Sequence, residues 1–450
     1  MSGAVAIQSK QMGVAEDYLG QYAALRRSLP GADLPWLASL RDGAAARFQT
    51  HGLPTSALEA WKFTHLDRLA KRVYAAVADE AKVTTEQIAH FRFAGLCEIL
   101  LVFVDGRFRA DLSDPQLGDA GALPKGVSVM SLARALAKTP DLVRAHLAGP
   151  EADPAQALAA LNLALSGDGA VIHLAANAKL DQPLHLLHLS STDGAASHLR
   201  HLVIAESGSA ATVVETFAAL APQAAAWTNV VTQVSIAEDA TLRHYKLQAE
   251  SADVSHTSAS DVTLAARARY DSFAFAAGGA FSRHEVRAKL TGDEAVATLN
   301  GVVLGRDRQM HAQRTDVAHH ALNTTLSETY KSVLDGRAHG AFLGKIHVAP
   351  GARGTDAQQS NRNLLLSDHA VADTKPELEI YADDVKCAHG ATVGDLEREP
   401  LFYLRARGIG ETEARALLIE AFAAELIDRI ADEPARAHFR NQLTHWLEQK

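Results

Sequence analysis

A degenerate repeat running through the second half of the chain limits what it can fold into more than any other feature. An aliphatic residue, a small residue, two variable positions and usually another small residue recur eight times, beginning at Leu174 (LAANA), Ile204 (IAESG), Ile236 (IAEDA), Leu264 (LAARA), Leu290 (LTGDE), Val317 (VAHHA), Val348 (VAPGA) and Ile380 (IYADD). Successive copies lie 30, 32, 28, 26, 27, 31 and 32 residues apart, each flanked by strand-like runs with no helix-length pattern between. Stacked β-coils produce such punctuation, because each coil buries its apolar face on the next. The pattern predicts a β-helix core over 169–395. An antiparallel sandwich would also give short strands and regular turns, but it rarely carries one motif over roughly 200 residues.

The flanks read differently. Residues 1–95 form a predicted helical domain, with apolar residues at three- and four-residue intervals over Ala15 to Leu29 and Trp36 to Phe48 and breakers at Pro30, Pro35 and Pro54. A mixed segment, 96–168, follows. Ile99 to Val104 (ILLVFV) has strand character and stops at Asp105-Gly106, then helical periodicity returns over Ser131 to Ala148 and Pro154 to Leu165. Residues 396–450 form a predicted C-terminal helical domain. There Ala414, Leu417, Leu418, Ala421 and Phe422 share a stripe, with Glu411 and Glu413 in the first turn and Arg429 in the last, and a second helix follows Pro434. The stripe either packs on the chain's own solenoid or receives a partner. Phe402, Tyr403, Arg405 and Arg407, read as exposed, favour a partner.

Charge and composition exclude some functions. A net charge of −9, pI near 6.2, offers no basic field for phosphates, so nucleic acid is not an expected partner. No run of about 18 apolar residues suggests a membrane span, and the N-terminus lacks a basic stretch leading into an apolar one. A cytoplasmic location is expected. The two cysteines, Cys97 and Cys387, make no disulfide framework, and Cys97, in LCEILLVFV, reads as a buried apolar residue.

Chemistry concentrates in YADDVKCAHGATVG, Tyr381 to Gly394. If Leu378 to Ala391 is extended, Cys387 and His389 point to one face. A thiolate and a neutral imidazole suit iron or zinc, but two ligands cannot close a tetrahedral site, and the others would come from elsewhere, including another chain. The alternative is a buried free cysteine beside a hydrogen-bonded histidine. GAFLGKI, Gly340 to Ile346, has one residue too few between its glycines for a phosphate-binding loop and no Ser or Thr after Lys345. Any ATP hydrolysis would belong to another subunit. His311, His319, His320, His339, His347 and His369 read as surface or hydrogen-bonded side chains, and no G-x-S-x-G elbow occurs.

EAWKFT (Glu59 to Thr64), GRAHGAFLGKIHV (Gly336 to Val348), QQSNRNLL (Gln358 to Leu365), KPELEIYADDVKCAHGATVG (Lys375 to Gly394) and LFYLRARGI (Leu401 to Ile409) together resemble the SufB/SufD family of iron-sulfur cluster assembly proteins. The resemblance implies a right-handed parallel β-helix flanked by N- and C-terminal helical regions. It implies a non-catalytic scaffold that pairs with SufB, the pair carrying two copies of the ATPase SufC on their C-terminal helices. Cys387 and His389 match the family's Cys-x-His at the interface between the two scaffold proteins, where the histidine acts with a SufB cysteine on a nascent, transient cluster. Phe402 to Phe422, with Phe402, Tyr403, Arg405, Arg407, Leu417, Leu418 and Phe422, match the SufC-contacting region. No tightly bound cofactor is implied for this chain alone, and a reduced flavin is an option for the full complex. Two readings of other classes stand beside this one. One is a homodimer whose two Cys387/His389 pairs meet at a twofold axis to hold metal. The other is a β-helix enzyme acting on an acidic polysaccharide, which secretion would normally accompany.

Overall fold

A computed structural model describes residues 2–77, 81–93, 98–117, 123–149, 152–220 and 224–448. Cys97 lies outside them. Strands alternate between two sheets. Ala170–Leu174, Ala196–Ala205, Trp227–Ile236, Ser255–Leu264, Phe281–Leu290, Met310–His319, His339–Val348 and Val371–Ile380 stack in parallel in the first. Leu184–Ser190, Ala210–Ala219, Thr241–Ala249, Arg269–Ala276, Val296–Gly305, Thr325–Leu334, Asp356–Leu365 and Lys386–Gly394 do so in the second. The expected β-helix is therefore present. Its coils are in strict register: Ala196 pairs with Trp227, then Ser255, Phe281, Met310, His339 and Val371 in turn. Ile99–Val104 opens the second sheet, parallel to Leu184–Ser190, and Val127–Ser131 closes the first, antiparallel to Ala170–Leu174.

The repeat marks the corner where the chain leaves the first sheet for the second. Each corner holds a residue in the left-handed region, Asn177, Gly208, Asp239, Arg267, Glu294, Asn323, Gly354 and Asp384, with φ from 54° to 73°, and the corner at Gly354 has a second, Gly351. Their backbone N–H groups donate to the next corner up the stack: Asn177 to the Ser207 carbonyl, Asp239 to Ala266, Arg267 to Asp293 and Asn323 to Arg353. The following residue turns inward and is buried as Ala178, Ser209, Ala240, Ala268, Ala295, Thr324 and Thr355. Only small side chains fit there, and in three copies, at Ala178, Ala240 and Ala268, that residue is the last of the motif. Between the sheets lies a continuous apolar core that includes Leu186, Val213, Leu242, Val286, Leu299 and Ile346.

Helices cover the outer faces. Pro35–His51 and Ala157–Leu165 pack over the first sheet around Leu202, Trp227 and Phe281. EAWKFT is a clamp at this seam: the Arg283 guanidinium lies 3.9 Å from the Trp61 ring centre and donates to Thr64 Oγ1 (2.9 Å) and the Ala60 carbonyl (2.7 Å). Trp61 Nε1 donates to the Ala155 carbonyl at 3.0 Å. On the other side, Glu411–Ile427 and Glu433–Glu448 cover the second sheet at Phe273, Phe275, Val302 and Val333. Of the stripe read from the sequence only Ala414 is buried, and the contact with the sheet is made by a neighbouring one. Ala414, Ile419, Ala423, Leu426 and Ile427 are buried, Leu417 and Ala421 are exposed, and Leu418 and Phe422 sit at the margin. The helix is apolar over much of its circumference, and the ring-rich outer face of the sheet takes the side carrying Ile419, Ala423, Leu426 and Ile427. No helix among the described residues is long and apolar enough to cross a membrane.

Candidate functional site

The extended run predicted from Leu378 to Ala391 is two strands, Val371–Ile380 and Lys386–Gly394, separated by a corner with Asp384 at φ 56°. They are the last strands of the two sheets, so each is paired on one side only. Cys387 pairs with Ala357 and His389 with Gln359. Ala357 and Gln359 are both buried, and Ala357 belongs to the core between the sheets. Cys387 and His389 share that inward-facing side, at the open end of the stack. Cys387 packs against the core as a partly buried free thiol, whereas His389 is exposed. Burial, with a contribution from Asp356, raises the thiol pKa against the lowering effect of the Ala357 backbone. A thiol held in its protonated form is a poorer ligand than an exposed imidazole. Large apolar side chains crowd this end: Val371, Ile380, Tyr381 and Val393 are 41 to 60% exposed.

Directly beneath His389 the core turns polar. Thr315 Oγ1 donates to Glu328 Oε1 at 2.6 Å, and Gln359 Nε2 donates to Glu328 Oε2 at 3.0 Å. Burial pushes the Glu328 carboxyl up to about 7 although both hydrogen bonds pull it down. Gly344 faces this group, and a Cβ there would lie 2.3 Å from Gln359 Nε2. Gly340 to Ile346 lies in the strand His339–Val348, so GAFLGKI is extended backbone and its glycine makes room for Gln359.

Sequence reasoning missed a deeper cluster. His188, His201 and Glu215 are buried between the sheets, each offering a donor atom within 4.8 Å of the others. Yet His201 Nδ1 accepts from the Ala170 backbone N–H at 2.8 Å, so its Nε2 carries the proton and has no lone pair for a metal. Thr232 Oγ1 (2.8 Å) and His244 Nε2 (2.9 Å) both bond Glu215 Oε1. With His201 so committed, the set offers at most His188 and Glu215, too few for a metal centre by itself. Its only trace in the sequence is histidine at inward positions of LHLLHLS and ASHLRHLVIA. Of the six histidines singled out from the sequence, four are hydrogen-bonded, His311 to Ser282 (2.6 Å), His319 to Thr324 (2.7 Å), His339 to Asp373 (2.7 Å) and His347 to Glu379 (3.2 Å), and His320 and His369 lie at the surface.

A second surface lies on the C-terminal helices. Arg398–Arg405 buries none of its residues, with Phe402 74% and Tyr403 55% exposed and Leu417 of the next helix 41% exposed. Arg407 stacks 3.5 Å from the Tyr403 ring centre, and Arg405 pairs with Glu411 at 3.2 Å. Leu418 and Phe422 line a groove of about 520 Å³ with Arg362, Val393 and Leu396. Phe402, Tyr403, Arg405, Arg407, Leu417, Leu418 and Phe422 thus fall on two adjoining helices and the turn between them.

A family described as "SUF system FeS cluster assembly, SufBD core domain" matches residues 188–422, and the SufBD protein N-terminal region matches 12–186. The chain is 34% identical to the iron-sulfur cluster assembly protein SufD of Escherichia coli over 85% of its length and 86% of the relative's. It is 31% identical to a SufBD family protein of Synechocystis over 88% and 87%, and 28% identical to SufD of Bacillus subtilis over 72% and 74%.

Proposed function

Because the chain belongs to the SufBD family of iron-sulfur cluster assembly proteins, we propose that it is a non-catalytic scaffold subunit whose last coil docks on SufB. The observation that carries this reading is the unfinished end of the solenoid. A parallel stack whose two terminal strands expose free edges and large apolar side chains invites another chain to pair with it. Cys387 and His389 sit on that end, so a docked partner would enclose them.

Enclosure supplies the chemistry that two ligands cannot. An iron-sulfur cluster is usually held by about four protein ligands, mostly thiolates. In this reading His389 offers a neutral nitrogen to the nascent cluster, the cluster being cargo, and SufB supplies thiolate. Cys387, half in the core and protonated, plays a lesser part until a metal displaces its proton. Phe402, Tyr403, Leu417 and the groove beside Phe422 receive the ATPase SufC, whose nucleotide cycle would pull on helices anchored to the second sheet. Localisation in the cytoplasm follows from this role.

The test is to purify the chain with SufB and SufC and to measure bound iron and sulfide. With His389→Ala the complex should assemble and lose its cluster, and Cys387→Ala should lose less. Unchanged iron and sulfide in His389→Ala would sink the assignment.

A further inference from the structure

We propose that Gln359 is a positioning residue for His389, fixing the ring's tautomer from inside the solenoid; this rests on the reading of His389 above. Gln359 is buried, and its Nε2 is committed to Glu328 Oε2 at 3.0 Å. Its Oε1 is buried and has no hydrogen-bonding partner among the described residues. A buried amide oxygen left unpaired costs about 1–3 kcal/mol, so an orphan at this point needs a donor. His389 is its registered neighbour one coil further out, on the same inward face. The ring is exposed and turns at little cost.

With Glu328 ionised the amide cannot choose its own orientation. Glu328 accepts from Thr315 on one oxygen and from Gln359 on the other, so the NH₂ end is drawn towards the carboxylate and Oε1 is left for the outer coil. Gly344 keeps the amide in place, since any larger residue would collide with Nε2. A ring N–H of His389 donating to Oε1 leaves the other nitrogen unprotonated and pointing away from the core. Histidines that bind metals are held in this way, the second nitrogen donating to a fixed acceptor. The pattern Thr315, Glu328, Gln359, His389 thus runs from the apolar core to the docking edge.

The experiment is a ¹⁵N–¹H long-range spectrum of the full chain labelled in histidine, with the His389 signals assigned by their loss in His389→Gln. Wild type should give one neutral tautomer for His389, and Gln359→Leu should give the mixture of a free imidazole. Gly344→Ala, which displaces Gln359 without touching its chemistry, should do the same. In the complex with SufB and SufC, Gln359→Leu should lower cluster accumulation by about 10- to 100-fold, the usual cost of losing such a support. A tautomer mixture in wild type, or a single tautomer that survives Gln359→Leu, overturns the proposal. The wild-type spectrum decides even if a variant fails to fold. A fixed tautomer together with normal cluster content in His389→Ala would instead reject the proposed role of His389 while leaving the positioning intact.

Discussion

Glu328 is the residue on which pH should act most visibly. Its carboxyl is wholly buried and held at about 7 in the fold, against an ordinary value of 4.5. The folded state therefore keeps its proton to higher pH than the unfolded chain does. That contribution is complete below about 4.5 and is lost as pH rises towards 7, a change of about 3 kcal/mol. Glu328→Gln removes the titration while keeping the shape. Urea unfolding at pH 5 and pH 8 should show wild type losing about 3 kcal/mol relative to the variant, whereas parallel behaviour of the two would mean that Glu328 is not buried as described. Cys387 and His389 were legible from spacing alone, because strand alternation puts residues two apart on one face. Thr315, Gln359 and Gly344 were not. They come from other coils, and a degenerate repeat whose spacing varies from 26 to 32 residues does not fix which residues of neighbouring coils stand in register.

At the scale of the elements, the corners and the clamps carry the fold. Gly354 stands at φ 73° with no room for a side chain, since a Cβ would lie 2.1 Å from Asn323 Oδ1 of the preceding corner. Gly354→Ala should cost at least about 1–2 kcal/mol for the left-handed conformation alone. Adding Asn323→Gly should recover part of the remainder, and equal losses in single and double variants would refute the stacked-corner geometry. Trp61, buried between Arg283 and Ala155, anchors the N-terminal helices; Trp61→Ala should cost about 3–5 kcal/mol, read as a lowered urea midpoint. The C-terminal helices make the opposite case. Phe402 and Tyr403 are exposed and bury nothing of the core, Tyr403 carrying only the exposed Arg407 guanidinium, so Phe402→Ala with Tyr403→Ala should leave the melting temperature nearly unchanged and abolish retention of SufC. The repeat located every corner to within a few residues, because left-handed and small residues are demanded there by backbone geometry. Which face of the C-terminal helix meets the sheet was not legible, because an alanine-rich helix has little contrast between its faces and the sheet it meets decides which is buried.

For the molecule as a whole, the two ends of the solenoid are treated differently. One is closed by antiparallel strands, Arg107–Phe108 on the second sheet and Val127–Ser131 on the first. The other ends in two free edges, with the partly buried Cys387, the exposed His389 and four large exposed apolar side chains upon it. The β-helix itself was readable from the period of the repeat, but the exposure of its last coil was not, since KPELEIYADDVKCAHGATVG carries the same alternation as the coils before it. Free edges also allow self-pairing, so isolated chain at high concentration should form a dimer that SufB competes away, followed by sedimentation. The most direct test of last-coil docking is amide hydrogen exchange of the chain alone and bound to SufB. Protection gained over 371–394, and little elsewhere in the solenoid, is the predicted result. Unchanged exchange at those strands with protection appearing on the outer faces would contradict the docking of SufB at the open end.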